Sequence, residues 1–410
     1  MARSETSPAE LIATRSATQV RPDRGERRLR RISAWLMFIF LLQGQLGAIW
    51  DREWHYFVGR DQFWTPPHTL IYSCVTGAGL IALMVILADT IRYYRHAPGV
   101  DDTSTVRIFH VFHAPLGFII AGFGALQSLV SAPLDNYWHN LYGIDIALWA
   151  PFHMMGVTGA MIGILGMIYV FASEATIQRT AGYAYRRFLG LSALEWGAIF
   201  IIAGMINFTF IGFLQFPVAT FGPFHIPTYA IPMALAGGVG LVGVIRFTQR
   251  PGTALLTVCL LAFHTFLEGL FVPWAIRAAV AQQGLFYRVP EVPYFNVIDA
   301  LLPVIFILPA LIVDSVALWR LRRGLDLAGS LRNSWIIGVI ITIPELIVAP
   351  CLLLATFNFP QVLLEQPGID IPPEIKVQAA LIAVPIFLLA GAIGALLGAN
   401  FGDVWRWNKS

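Results

Sequence analysis

The chain is threaded with apolar runs long enough to cross a lipid bilayer, and no other feature restricts its fold so severely. Such runs begin near Ile32, His68, Ile108, Phe152, Leu191, Tyr229, Ala254, Ile298, Trp335 and Val377. About 20 apolar residues in helical form span the hydrocarbon core. Within lipid, only helices and closed barrels satisfy every backbone polar group, and unbroken apolar runs select helices over the alternating pattern of a barrel. The sequence therefore predicts an all-α polytopic membrane protein of about ten transmembrane helices. Charged residues make up 12% of the chain, half the share of about a quarter usual in soluble proteins. Pro232, Pro303, Pro309, Pro344 and Pro350 fall inside the runs, where neighbouring helices can satisfy the freed backbone groups.

Lys and Arg concentrate on alternate loops. With the N-terminus inside, all but five of the 27 basic residues face the cytoplasm, the exceptions being Arg52, Arg60, Arg277, Arg288 and Lys376. The positive-inside bias then predicts an N-in, C-in, multi-pass protein of the cell membrane with outward-opening hairpins. Residues 1–31, which include RPDRGERRLRR, read as an uncleaved basic cytoplasmic tail, too long and polar for a signal peptide. Residues 32–190 and 191–402 read as two groups of membrane helices, and 403–410 as a second cytoplasmic tail. The net charge of +3 reports on this topology; no nucleic-acid surface, phosphate-binding glycine loop or nucleophile elbow is present. Cys74, Cys259 and Cys351 lie in separate runs, without metal or redox spacing.

Two stretches at outer helix ends carry much more polar chemistry than a membrane edge needs. WDREWHYFVGRDQFWTPPH spans Trp50 to His68, and LDNYWHNLYGIDIALWAPFH spans Leu134 to His153. Aligned on Trp-His, Asp51 precedes His55 by four residues, as Asp135 precedes His139; Asp61 and Asp145 each follow by six, and Gly59 matches Gly143. A proline then introduces His68, thirteen residues after His55, and His153, fourteen after His139. Each copy is the turn of a helical hairpin, and the pair is an internal repeat.

Residues four apart share a helix face, so each aspartate points with its first histidine. Pro67 and Pro151 suit the first turn of the next helix, whose histidine is aimed back at the helix before it. A carboxylate and two imidazoles then converge, a transition-metal set that leaves coordination positions open. Asp61 and Asp145 suit hydrogen bonds that orient an imidazole, and Arg60 can pair with Asp61. The competing reading is an aromatic and polar belt at the interface; duplication of the whole pattern favours metal.

These residues resemble the signatures of the C subunit of the copper membrane monooxygenases, the particulate methane and ammonia monooxygenases. The resemblance covers about residues 50–156. It implies copper at Asp51, His55 and His68 and at Asp135, His139 and His153, with oxidation of a small apolar or neutral substrate by O2. It also implies an external electron donor and partner subunits or a homo-oligomer. Asp135 stands where the family typically has Asn, the chain is longer than a usual C subunit, and the helices after about residue 190 match no known subunit. Ligand chemistry alone also admits non-haem iron or zinc. A metal or small-molecule transporter and a non-catalytic membrane subunit are the readings from other classes.

Other polar residues within the runs are expected to serve packing. His264 and Glu268 share a helix face; a third polar pocket with Glu195, Asp299 or Glu345 is one reading, and hydrogen bonding between helices inside the bundle is the expected one. His110 and His113 are placed at the start of the third helix, about 30 Å from Asp135 at helical rise. Asn207, Ile211 and His225 repeat the motif's spacing without its middle histidine, as a structural or decayed third copy.

Overall fold

The computed structural model describes residues 24–59, 62–100, 104–142, 150–180, 185–213, 218–221, 224–227, 230–325, 331–355 and 373–406. Helices α1 (Arg24–Phe57) and α2 (Pro66–Tyr94) form one hairpin, and α3 (Leu116–Tyr142) and α4 (Pro151–Thr180) form another. They are followed by α5 (Ala193–Phe213), α6 (Ala230–Gly237), a π-helical segment at Gly238–Val242, α7 (Gly243–Thr248) and α8 (Thr253–Gln283). Next come α9 (Val297–Ala300), a 3-10 turn at Leu302–Phe306, α10 (Ile307–Arg322), α11 (Leu331–Ala355) and α12 (Pro373–Trp405).

Eight helical stretches among the described residues are long and apolar enough to cross a membrane, and Ala193–Thr209 and Asn333–Val348 are shorter apolar helices. The protein is therefore an all-α, multi-pass membrane protein. Its outward faces agree. Leu80, Leu126, Ile347 and Leu381 are all more than half exposed, an apolar surface that water penalises and lipid does not. Buried side chains concentrate along α4, α5 and the α6–α7 segment, as at Phe171, Ile202, Leu241 and Val244, with α5 packed against both of the others. The two hairpins pack side by side through α2 and α3, α5 lies against α4, and α8 touches both α1 and α5.

Two boundaries differ from the sequence reading. Residues 24–31, assigned to a polar tail, are the first two turns of α1, with Arg27 and Arg30 only 4% and 1% exposed. Arg30 reaches Glu26 at 2.5 Å and Asp89 at 2.9 Å, while Glu174 lies 3.7 Å from Arg27 and 3.4 Å from Arg31. Buried charge persists where it is paired; acids from α2 and α4 fold this basic stretch into the protein. The third apolar run, read from about Ile108, becomes helical only at Leu116. Strands β1 (Thr105–Ile108) and β2 (Phe112–Pro115) pair antiparallel before it. Phe109 and His110 make the left-handed turn, at φ 52° and 58°. His113 stacks on Tyr93 at 3.8 Å between ring centres. A second ribbon, β3 (Val218–Phe221) and β4 (Phe224–Pro227), follows α5.

Candidate metal centres

The first centre is built where α1 stops and α2 starts. The amides of Val58 and Gly59 both donate to the Trp54 carbonyl, at 2.8 and 3.1 Å, and Gly59 has φ +67°. That is a left-handed helix end, which glycine reaches without a Cβ penalty. The amide of Arg288 also donates to the Phe57 carbonyl at 2.7 Å, and a Cβ at Gly59 would meet Arg288 Cδ at 2.7 Å. Gly59→Ala is expected to lower stability by about 1–2 kcal/mol, seen as a lower midpoint in thermal unfolding of the detergent-solubilised protein.

Helix α2 begins at an extended Thr65 (φ −81°, ψ 157°), whose hydroxyl accepts from the His68 amide at 3.3 Å, with proline in the first turn. The cap satisfies an orphan N–H, and it sets His68 at the mouth of the hairpin. His68 Nδ1 lies 2.9 Å from the Gln62 carbonyl. A carbonyl only accepts, so Nδ1 carries the proton and Nε2 of the neutral ring is a lone-pair atom. That Nε2 stands 3.1 Å from Asp51 Oδ1, and His55 Nε2 stands 3.6 Å from Asp51 Oδ2.

The second centre repeats this at the ends of α3 and α4. His139 Nε2 is 3.3 Å from Asp135 Oδ2, and His153 Nδ1 is 3.7 Å from the same oxygen. The paired imidazoles have nearly equal ring-centre separations, 6.5 Å for His55–His68 and 6.4 Å for His139–His153. In each set, one donor atom per residue lies within 4.8 Å of the others. Zinc-like nitrogen and oxygen bonds of about 2.0–2.2 Å allow two ligands of one ion to be up to about 4.2 Å apart. The aspartate–histidine distances fall inside that limit. Asp135 Oδ1 and His153 Nδ1 are buried atoms without a hydrogen bond, and Asp51 Oδ1 faces the ring of His68 at 3.1 Å, so a cation between the three side chains of each set would be met by convergent oxygen and nitrogen ligands. The residues present fit a bound transition-metal ion.

The centres differ in shielding. Side-chain exposures are 11%, 16% and 11% for Asp51, His55 and His68, but 19%, 14% and 22% for Asp135, His139 and His153. Metal is therefore expected to leave the second set first during timed dialysis against a chelator.

All six sequence-predicted ligands are brought together as two triplets. Arg60, Asp61 and Asp145, proposed to support them, lie outside the described residues. The Gln62 carbonyl escaped the sequence reading because a backbone acceptor leaves no residue-type signal. The expected hydrogen bonding between helices is present around Glu268, and the alternative pocket with Glu195, Asp299 or Glu345 is not formed among the described side chains. Asn207 Nδ2 donates to both Glu268 oxygens at 2.8 Å, Gln45 Nε2 donates to Oε1 at 2.8 Å, and His264 Nε2 donates to the Phe200 carbonyl at 3.2 Å. Glu195 instead caps its own helix, accepting from the Ser192 amide at 2.7 Å and pairing with Arg179 at 3.0 Å. Glu345 is fully buried beside Gly237 and Phe306, and the side chain of Asp299 lies outside the described residues. Asn207, read as the remnant of a third motif, is thus spent on Glu268. Compared with known protein families, with curated proteins and with solved structures, the chain matches none.

Proposed function

We propose that this chain is the metal-binding component of a copper-dependent membrane monooxygenase that oxidises a small apolar or neutral molecule with O2. The observation that carries the reading is the duplicated convergence of one aspartate and two histidines at hairpin mouths of a membrane bundle. Each set would hold one ion through three side chains and leave coordination positions for a small molecule. Copper, when bound, supplies the capacity to activate oxygen and exchange electrons. Asp51 and Asp135 contribute negative charge that offsets the ion's, and the Gln62 carbonyl fixes the His68 ring in the tautomer that ligates through Nε2. The surrounding apolar helices exclude water from the oxidation site. Electrons come from an external donor, and partner subunits or further copies of the chain complete the enzyme.

One feature favours a second metal. Two histidines and one carboxylate also form the facial set of non-haem iron oxygenases. The test uses protein stripped by chelator and reloaded with copper, iron or zinc. Oxygen uptake that needs both added reductant and a short neutral substrate, and that returns with copper alone, supports the proposal. Return with iron alone transfers it to the second reading. Metal uptake into vesicles without oxygen consumption would instead favour a transporter, although both hairpins open at the same end, unlike the inverted repeats of alternating-access carriers.

A further inference from the structure

Between the two hairpins, α5 and α8 lies a cavity of about 120 Å³. Its wall includes Ala48, one turn or about 4.5 Å of helix rise before Asp51, and Ile71, one turn after His68. On the other hairpin the wall reaches Ser128 and Gly159, each about two turns from the second centre. The cavity therefore sits just beneath the first metal set. It is not part of either centre, since none of the six ligands lines it.

The wall is apolar apart from Gln45, Ser128, His264 and the Cys74 thiol. Each of the three stronger polar groups commits a donor elsewhere. Gln45 turns its amide nitrogen to Glu268, 2.8 Å away. Its carbonyl oxygen is left on the side of Gly204, where a Cβ would approach it to 2.8 Å. The His264 Nε2–H is given to the Phe200 carbonyl, and the Ser128 hydroxyl donates to the Gly156 carbonyl at 3.0 Å. What the wall retains toward the space beside Gly204 is chiefly acceptor capacity, the Gln45 amide oxygen, with the second N–H of the same amide next to it. Glu268, held by both Asn207 and Gln45, keeps the Gln45 amide from turning over.

Size and polarity together define an occupant. A dry cavity of about 150 Å³ accommodates benzene, so a ligand of about six heavy atoms matches the space here. A buried acceptor left unmatched costs free energy, which selects a ligand that brings a donor. We propose that the cavity binds a small neutral molecule with one terminal hydrogen-bond donor, a short primary alcohol being the simplest. Only the ligand's later oxidation at the first metal set rests on the function proposed above; its binding needs no metal.

The test is fluorine NMR on the full chain in nanodiscs after metal removal, with protein-free nanodiscs correcting for lipid partitioning. The probes are 4-fluoro-1-butanol and 1-fluoropentane, equal in heavy atoms and differing in the donor. Saturable binding of the alcohol, with the fluoroalkane about five- to tenfold weaker, is the expected result. Gly163 lines the cavity, and a Cβ there would meet no atom within 4 Å, so Gly163→Leu fills the space without a clash at the backbone and should abolish binding of both probes. Gln45→Leu should bring the two affinities together; should that variant not fold, Gly163→Leu still decides. Equal binding of the probes to the unaltered chain, or alcohol binding that survives Gly163→Leu, would overturn the proposal. Either failure leaves the metal content untouched, and loss of metal by itself would leave this binding unchanged.

Discussion

Replacing His55 or His139 by alanine is expected to remove one bound metal ion per chain, taking the content from about two to about one, and replacing both should leave none. The two triplets are separate sets of three ligands. A lost imidazole leaves one carboxylate and one imidazole. Disturbing even a residue behind a ligand costs about 10–100-fold in affinity, and deleting a ligand should cost more. Both histidines lie in the last turn of their helices and are partly exposed, at 16% and 14%. Truncation there should therefore leave helix content unchanged, as circular dichroism can check. A belt of polar residues at the interface predicts the opposite, with metal content identical in all variants. Conversely, His113→Ala should leave metal bound, since its ring stacks on Tyr93 and its Nε2 lies 2.9 Å from the Thr105 hydroxyl, in a ribbon that precedes α3.

The second large effect concerns stability. Asn207→Ala removes a two-point hydrogen bond to Glu268, a residue 4% exposed inside the bundle. Leaving a buried carboxyl short of partners is expected to cost about 2–3 kcal/mol. The measure is reversible unfolding in mixed micelles. The triple variant Asn207→Ala/Glu268→Leu/Gln45→Leu should recover most of the loss, because the carboxyl and both of its amide donors are then removed together. Additive losses in the cycle of Asn207→Ala with Glu268→Leu would show that the pair is not energetically coupled.

The ligand sextet could be read from sequence because its geometry is local. A four-residue spacing needs only a helix to place Asp51 with His55 and Asp135 with His139, and a proline start needs only the next helix to return His68 and His153. The membrane class was equally legible, since apolar length is a property of each run alone. What escaped depends on contacts between distant segments. The burial of Arg27 and Arg30 requires acids at positions 89 and 174. The partners of Glu268 come from α1 and α5, and the signal that could have found them is an amide set within an apolar run, as Gln45 and Asn207 are. The π-helical segment at Gly238–Val242 and the cavity beneath Asp51 arise only once helices pack. The role of Gln62 lies in its main chain, where side-chain identity carries no information.

The most direct measurement is metal content per chain, by elemental analysis with electron paramagnetic resonance, in protein purified without chelator and reconstituted with copper. The account predicts about two ions per chain, with spectra showing nitrogen coordination from histidine. Protein that retains no tightly held transition metal while remaining folded would contradict it.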